Sequence, residues 1–178
     1  MYKRQFITSD DHAGLKAVRR AVMPGVMWQR CQFHLGQNAV HHCPNLEAKD
    51  NIGKQLRRVW NAETLEEAKA EIKSLVAYYR QDKKGHKLAD WMEANLEEGL
   101  AVFALPEKHR NRMRTSNPHE RCIQQELKRR TAKVRVFPDD GSLLRLVSAV
   151  LVEIDEKWTT QSKPYIKWEL NDERDTIN

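Results

Sequence analysis

The sequence predicts an α/β protein that is predominantly helical, with two short strands and their flanking helices followed by a large all-α segment. Two observations carry that prediction. Phe6-Ile7-Thr8 and Val26-Met27-Trp28-Gln29-Arg30-Cys31-Gln32-Phe33 are largely apolar runs of strand length on either side of a helical stretch. From Leu35 onward, apolar residues recur at helical spacing for about 70 residues.

The elements follow in order. Residues 4–8 read as the end of a strand, with Ser9 and Asp10 at its exit. Gly14 to Met23 has helical spacing, with Leu15, Val18 and Val22 on one face, and Pro24-Gly25 closes it. Residues 26–33 then fit a second, largely buried strand. Leu46 to Trp60 carries Ile52, Leu56 and Val59 on one stripe. Thr64-Leu65-Glu66-Glu67 is a capping box, in which hydroxyl and carboxylate satisfy free N–H groups at a helix start. The helix it opens runs to about Arg80 through Leu65, Ala68, Ile72, Leu75 and Tyr79. After a polar link from Gln81 to Gly85, a further helix carries Leu88, Trp91, Met92, Leu96 and Leu100. These stripes read as the core of a helical subdomain, not as a cofactor pocket. Asn117-Pro118-His119-Glu120 is a strong helix start, with Asn at the cap and Pro at the first position, and the helix runs to about Thr131. Lys133 to Phe137 reads as a short extended link. Asp140-Gly141-Ser142 caps a last helix with Leu143, Leu146, Val147, Val150, Leu151 and Ile154 on its apolar face. Past Trp158 the chain is polar. The expected organisation is residues 1–34, an all-helical segment at 35–108, a return at 109–160 and a polar tail at 161–178.

Composition narrows the class. The 178 residues are 40% hydrophobic and 31% charged, and the mean hydropathy is -0.77. No run approaches the ~20 apolar residues of a membrane helix, and the basic start Met1-Tyr2-Lys3-Arg4-Gln5 leads into only three apolar residues, unlike a signal peptide. Three cysteines, Cys31, Cys43 and Cys122, make a disulfide framework a poor fit and a reducing cytoplasm the expected location. Net charge is +6. Ten Lys and Arg residues lie between Lys108 and Arg135, opposed only by Glu120 and Glu126. That local excess of +8 exceeds the whole chain's +6, so the positive field is concentrated there, as a phosphate backbone would require. A solvated helix face is the plainer explanation of such a run.

Two acidic motifs stand out. Ser9-Asp10-Asp11-His12-Ala13-Gly14-Leu15 follows the first strand, and Thr115-Ser116-Asn117-Pro118-His119-Glu120-Arg121 opens the basic helix. Strand ends are where α/β folds place ligand-binding residues. Two carboxylates, one at a strand end and one on a distant helix, can share divalent ions, because Mg²⁺ prefers oxygen ligands and takes only one or two protein carboxylates. The layout points to phosphoryl transfer on nucleic acid. Each motif also has a structural explanation: Asp10, Asp11 or Ser9 can N-cap the following helix, and Glu120 can complete a capping box with Asn117 or Ser116. Cys31-Gln32-Phe33-His34, with His41, His42 and Cys43 nearby, raises a structural zinc site. The second pair lacks the usual spacing, and a small buried Cys31 beside a hydrogen-bonding His34 explains the residues more simply.

Taken in order, Ser9-Asp10-x-His12-x-Gly14-Leu15, Cys31-x-x-His34, and Thr115-Ser116-Asn117-x-x-Glu120-Arg121 with Lys128-Arg129-Arg130 resemble the Mutator-type transposases of bacterial insertion sequences. Phe137-Pro138 and the run Leu146 to Trp158 resemble that family's C-terminal stretch, so the likeness covers nearly the whole chain. The resemblance implies a partial ribonuclease-H-like core interrupted by the helical insertion. It implies an Asp-Asp-Glu triad in which Asp10 is the second carboxylate and Glu120 the third, holding Mg²⁺ or Mn²⁺, with Cys31 and His34 on the family's Cys-x-x-His motif. Arg121, Lys128, Arg129 and Arg130 are then candidates for phosphate contacts on transposon terminal repeats and target DNA. Two departures accompany it. Ile123 stands where the glutamate motif calls for Asn, and residues 1–9 hold no carboxylate to serve as the first Asp. The expectation is therefore a fragment of a transposase that is inactive as an isolated chain, with a second copy or a full-length transposase as its candidate protein partners. The rivals are a non-enzymatic nucleic-acid-binding helical module, with or without zinc, and a regulatory remnant.

Overall fold

The computed structural model describes residues 6–163 and 166. The strand prediction at residues 4 and 5, and most of the 161–178 tail, lie outside the described residues. The chain divides into two compact units, with the boundary between Ser116 and Asn117.

In the first unit, β1 (Phe6–Ser9) and β2 (Met27–Arg30) pair in parallel, with Phe6 opposite Met27 and Ser9 opposite Arg30. Parallel neighbours need a crossover, and α1 (Ala13–Val22) supplies it. The second strand is shorter than the sequence suggests. The Cys31 N–H still bonds the Ser9 carbonyl at 2.8 Å, but the Gln32 N–H turns to the carbonyl of Arg114 at 3.0 Å. Gln32 and Phe33 therefore belong to α2 (Gln32–Val40), with Cys31 at its N-cap.

Helices α3 (Leu46–Trp60), α4 (Leu65–Arg80) and α5 (His86–Asn95) follow the predicted stripes. Ile52, Leu56, Val59, Ala68, Leu88, Met92 and Leu96 are buried in one core that extends from Leu35 to Leu105. The capping box at Thr64 forms: its hydroxyl accepts the Glu67 N–H at 3.1 Å. The Glu67 carboxylate accepts the Glu63 N–H, one residue before the cap, at 3.0 Å. The fifth helix is not continuous to Leu100. It breaks into two 3₁₀ turns, Leu96–Gly99 and Ala101–Ala104.

That break joins the strands to the helical segment. Fully buried Gln29 on β2 donates to the Gly99 carbonyl at 2.7 Å and accepts the Val102 N–H at 2.7 Å. A Cβ at Gly99 would lie 2.7 Å from Leu35 Cδ1 and 3.1 Å from the Trp60 ring, so only glycine lets the backbone approach that closely. A short helix missing from the sequence reading, α6 (Glu107–Met113), follows. Its buried anchor is His109, and the Arg110 guanidinium donates to the carbonyls of Leu105, Glu63 and Phe103.

The apolar face of α1 remains open. Leu15, Val18 and Val22 are 52%, 56% and 69% exposed, and no α1 residue is buried.

The second unit contains α7 (Asn117–Val134) and α8 (Asp140–Thr160), whose buried side chains are Val150 and Ile154. Lys133 and Val134 are helical, not extended. Arg135 then takes φ 61°, and its N–H bonds the Thr131 carbonyl at 3.1 Å, ending α7 with a left-handed residue. The cap of α8 is Asp139, whose carboxylate accepts the Ser142 N–H at 2.6 Å. Asp140 lies inside the first turn.

Candidate active site

Asp10 leaves β1 at the exit the sequence predicts, and it does not cap α1. The N-cap residue is His12, with no side-chain cap hydrogen bond. One Asp10 oxygen, Oδ1, accepts the Asp11 N–H at 2.7 Å and lies 3.8 Å from His34 Nδ1. Its side chain is 51% exposed. Both of these contacts are made by Oδ1.

Asp11 has a different surrounding. Its carboxylate meets Arg30 at 2.9 Å and pairs with Lys16. Arg30 is only 2% exposed and donates also to Asn95 Oδ1 and Glu98 Oε2, each at 2.9 Å. Lys16 bonds Glu98 at 3.2 Å and sits 4.7 Å from the Trp28 ring centroid, while the Trp28 indole N–H donates to Ser9 Oγ at 2.9 Å. This network binds the turn after β1 to the end of the helical segment. Neighbouring carboxylates are thus divided, with Asp11 structural and Asp10 open.

Cys31 and His34 lie beside that exit because α2 begins where β2 ends. Cys31 is fully buried, and its Sγ is 3.1 Å from Thr115 Oγ1. Burial opposes a Cys31 thiolate, but hydrogen bonds from Thr115, the His34 backbone and Ser116 outweigh it, and the thiol sits below its ordinary pKa. The Thr8 hydroxyl also donates to the Met113 carbonyl. The second acidic motif therefore begins on a segment fastened to both β1 and the N-terminus of α2. The structure brings together Asp10, Cys31, His34 and Thr115.

Glu120, Arg121, Lys128, Arg129 and Arg130 lie on α7 in the second unit. The basic run is less uniform than its sequence. Arg129 pairs with Glu126 and Arg130 with Glu153, each at 2.7 Å, while Arg121 and Lys128 are exposed. Arg110 is occupied by backbone carbonyls.

The residues of the zinc alternative have other neighbours. No group of three His, Cys, Asp or Glu residues is placed to hold a metal among the described residues. Cys43 Sγ faces the Ala39 carbonyl at 3.5 Å, and His42 stacks on Trp91. Sequence reasoning also missed Arg30, Lys16 and Thr115 as the groups that set the two carboxylates apart and anchor Cys31. Thr115 was visible inside its motif; Arg30 gave no signal, since its partners Asp11, Asn95 and Glu98 are 19, 65 and 68 residues away.

Among the described residues no helix is long and apolar enough to cross a membrane. Residues 3–161 match the family model described as transposase, Mutator family. The chain is 47% identical over 162 residues to the transposase for insertion sequence element IS406 of Burkholderia multivorans, covering 91% of this chain and 41% of that protein. It is 37% identical over 154 residues to the transposase for insertion sequence element ISRM5 of Rhizobium meliloti, covering 86% of this chain and 38% of that one. It is 27% identical over 165 residues to the transposase for insertion sequence element IS256 in transposon Tn4001 of Staphylococcus aureus, covering 93% and 42%. The chain spans about two fifths of the length of these curated relatives. With the ordered motifs and the match over residues 3–161, the chain belongs to the Mutator family of transposases of bacterial insertion sequences.

Proposed function

We propose that this chain carries the second and third carboxylates, Asp10 and Glu120, of a metal-dependent site that cleaves and joins DNA at transposon ends. The observation that carries this reading is the open Asp10 carboxylate at the exit of β1, relieved of any capping role and flanked by His34. An oxygen donor of this kind suits Mg²⁺ or Mn²⁺, which take few protein carboxylates and complete their shell with water and phosphate oxygens. Asp10 and Glu120 would hold the ions, which when bound supply Lewis acidity for an in-line displacement at phosphorus. His34 helps to orient Asp10, and Cys31 pins the segment that leads into Glu120. Arg121 and Lys128 contact DNA phosphates, positioning the strand without reading its sequence. Arg129 and Arg130 join them only when they exchange their carboxylate partners for phosphate.

These 178 residues supply two carboxylates of the triad, so the isolated chain is proposed to be inactive. The exposed α1 face and a β1 strand paired only with β2 among the described residues support a core that further chain completes.

The test is a chimera. Residues 3–161 replace the corresponding part of the longer Burkholderia relative, and excision of a donor element is measured. Asp10→Asn and Glu120→Gln are each expected to lower excision at least a hundredfold, with Asp11→Asn much less harmful to activity per folded molecule. Full activity in the Asp10→Asn or Glu120→Gln chimera, or robust Mg²⁺-dependent strand transfer by the isolated chain, would refute the proposal.

A further inference from the structure

A groove of about 380 Å³ between α2 and α3 is lined by Gln32, Phe33, Gly36, Gly53, Arg57 and Arg114 among others. We infer that this groove receives a nucleotide of a single-stranded nucleic-acid segment, with its phosphate between Arg57 and Arg114 and its base against Phe33. The inference rests on the reading that the chain acts on DNA.

The two glycines lie in the interiors of facing helices, where glycine is less favourable than alanine. Neither has a positive φ, and a Cβ at either would meet no atom within 4 Å. Packing and backbone geometry therefore explain neither. What they do is keep the groove open.

Its charge is positive, with Lys49, Arg57 and Arg114 against the single carboxylate of Asp50. Arg114 donates to the neutral amide of Asn61 at 2.9 Å. Burial and, after it, the nearby Arg57 lower the Arg114 pKa. A bound anion would oppose both.

Phe33, 43% exposed, adds an aromatic surface to the same groove. Gln32 is part of the wall: only 4% exposed, it donates its Nε2 to the Gly99 carbonyl at 2.9 Å. Phosphate alone would answer the arginines, whereas a nucleotide also brings a base for the Phe33 ring. Stacking on that ring requires an unpaired base, so the fit favours a single strand.

Fluorescence anisotropy in EDTA, with a labelled mixed-sequence single-stranded 12-mer and its duplex, tests this. Gly53→Leu, whose Cβ meets no atom within 4 Å, projects into the groove and is expected to keep or raise Tm while weakening 12-mer binding about tenfold, the scale of losing one stacked base. Arg57→Gln is expected to weaken binding and to reduce the log Kd against log salt slope by about one. Arg58→Gln, the same charge change at a residue paired with Glu71, stays within about twofold of wild type. Wild-type affinity in folded Gly53→Leu, equal loss in Arg58→Gln, tighter binding of the duplex, or displacement by polyglutamate would each overturn the inference. Should Gly53→Leu not fold, Arg57→Gln and its salt slope decide. Asp10→Asn is expected to bind the 12-mer normally, so failure of the groove and failure of the metal site are read separately.

Discussion

Asp10 and Asp11 show how one residue's difference in position divides function from structure. Asp10 is exposed and makes no cap, so Asp10→Asn is expected to change unfolding free energy in urea by less than about 0.5 kcal/mol. Arg30 is the opposite case. Replacing it by Met puts an apolar side chain beside Asp11 and Glu98 and leaves them to share Lys16. The expected loss is about 2 to 3 kcal/mol, below the range for fully buried pairs because both carboxylates are about a third exposed. Cys31 makes a prediction in pH. Its folded pKa lies below that of an ordinary thiol, so the folded state gives up the proton first. The resulting stabilisation is complete above the unfolded pKa and is lost as pH falls through the folded one. The stability gap between wild type and Cys31→Ala, measured by urea melts, should therefore widen from pH 7 toward pH 9.5. A constant gap would show that the hydrogen bonds from Thr115 and Ser116 do not favour the thiolate.

At the scale of elements, the helices that sequence periodicity defined best are those with strong local signals. Leu46–Trp60 appears with its predicted stripe buried and Asn45 as cap, its side chain accepting the Ala48 N–H at 2.7 Å. The fourth helix starts at the predicted Thr64. Thr64→Ala should cost about 1 kcal/mol by loss of the cap, measured by chemical denaturation, and Thr64→Ser should retain most of it. Elements with tertiary partners were misread. Gln32 and Phe33 continue an apolar run and look like strand, yet the Gln32 N–H finds the Arg114 carbonyl 82 residues away and the helix begins there. The sixth helix has no apolar stripe. It is held by buried His109 and by an arginine that serves three carbonyls, none of which a local pattern reveals.

At the scale of the molecule, burial is unequal between the two units. The first holds a continuous core from Leu35 to Leu105, whereas α7 buries no side chain and α8 buries two. Helices draw most of their stability from packing an apolar face, so local opening should be easiest in the second unit. Hydrogen exchange on the isolated chain is expected to be faster along α7 and α8 than along α3 and α4. Equal protection would mean that these two helices are stabilised by burial not visible in their side chains. The open stripe on α1 belongs at this scale too, since the described residues leave the apolar face of Leu15, Val18 and Val22 uncovered.

The sequence by itself determined what depends on near neighbours and on composition: most helix positions, the strand–helix–strand start, the concentration of positive charge and the ordered motifs of a Mutator-family transposase. Tertiary structure decided what depends on distant partners. It showed that Asp11 is spent on Lys16 and Arg30 while Asp10 is open, that Cys31 anchors Thr115, and that Arg110 serves the backbone. The reason is physical. Periodicity and capping are read within about one helical turn, whereas a carboxylate's role depends on which charges and donors the fold brings to it, and here Arg30 joins Asp11, 19 residues before it, to Glu98, 68 residues after it.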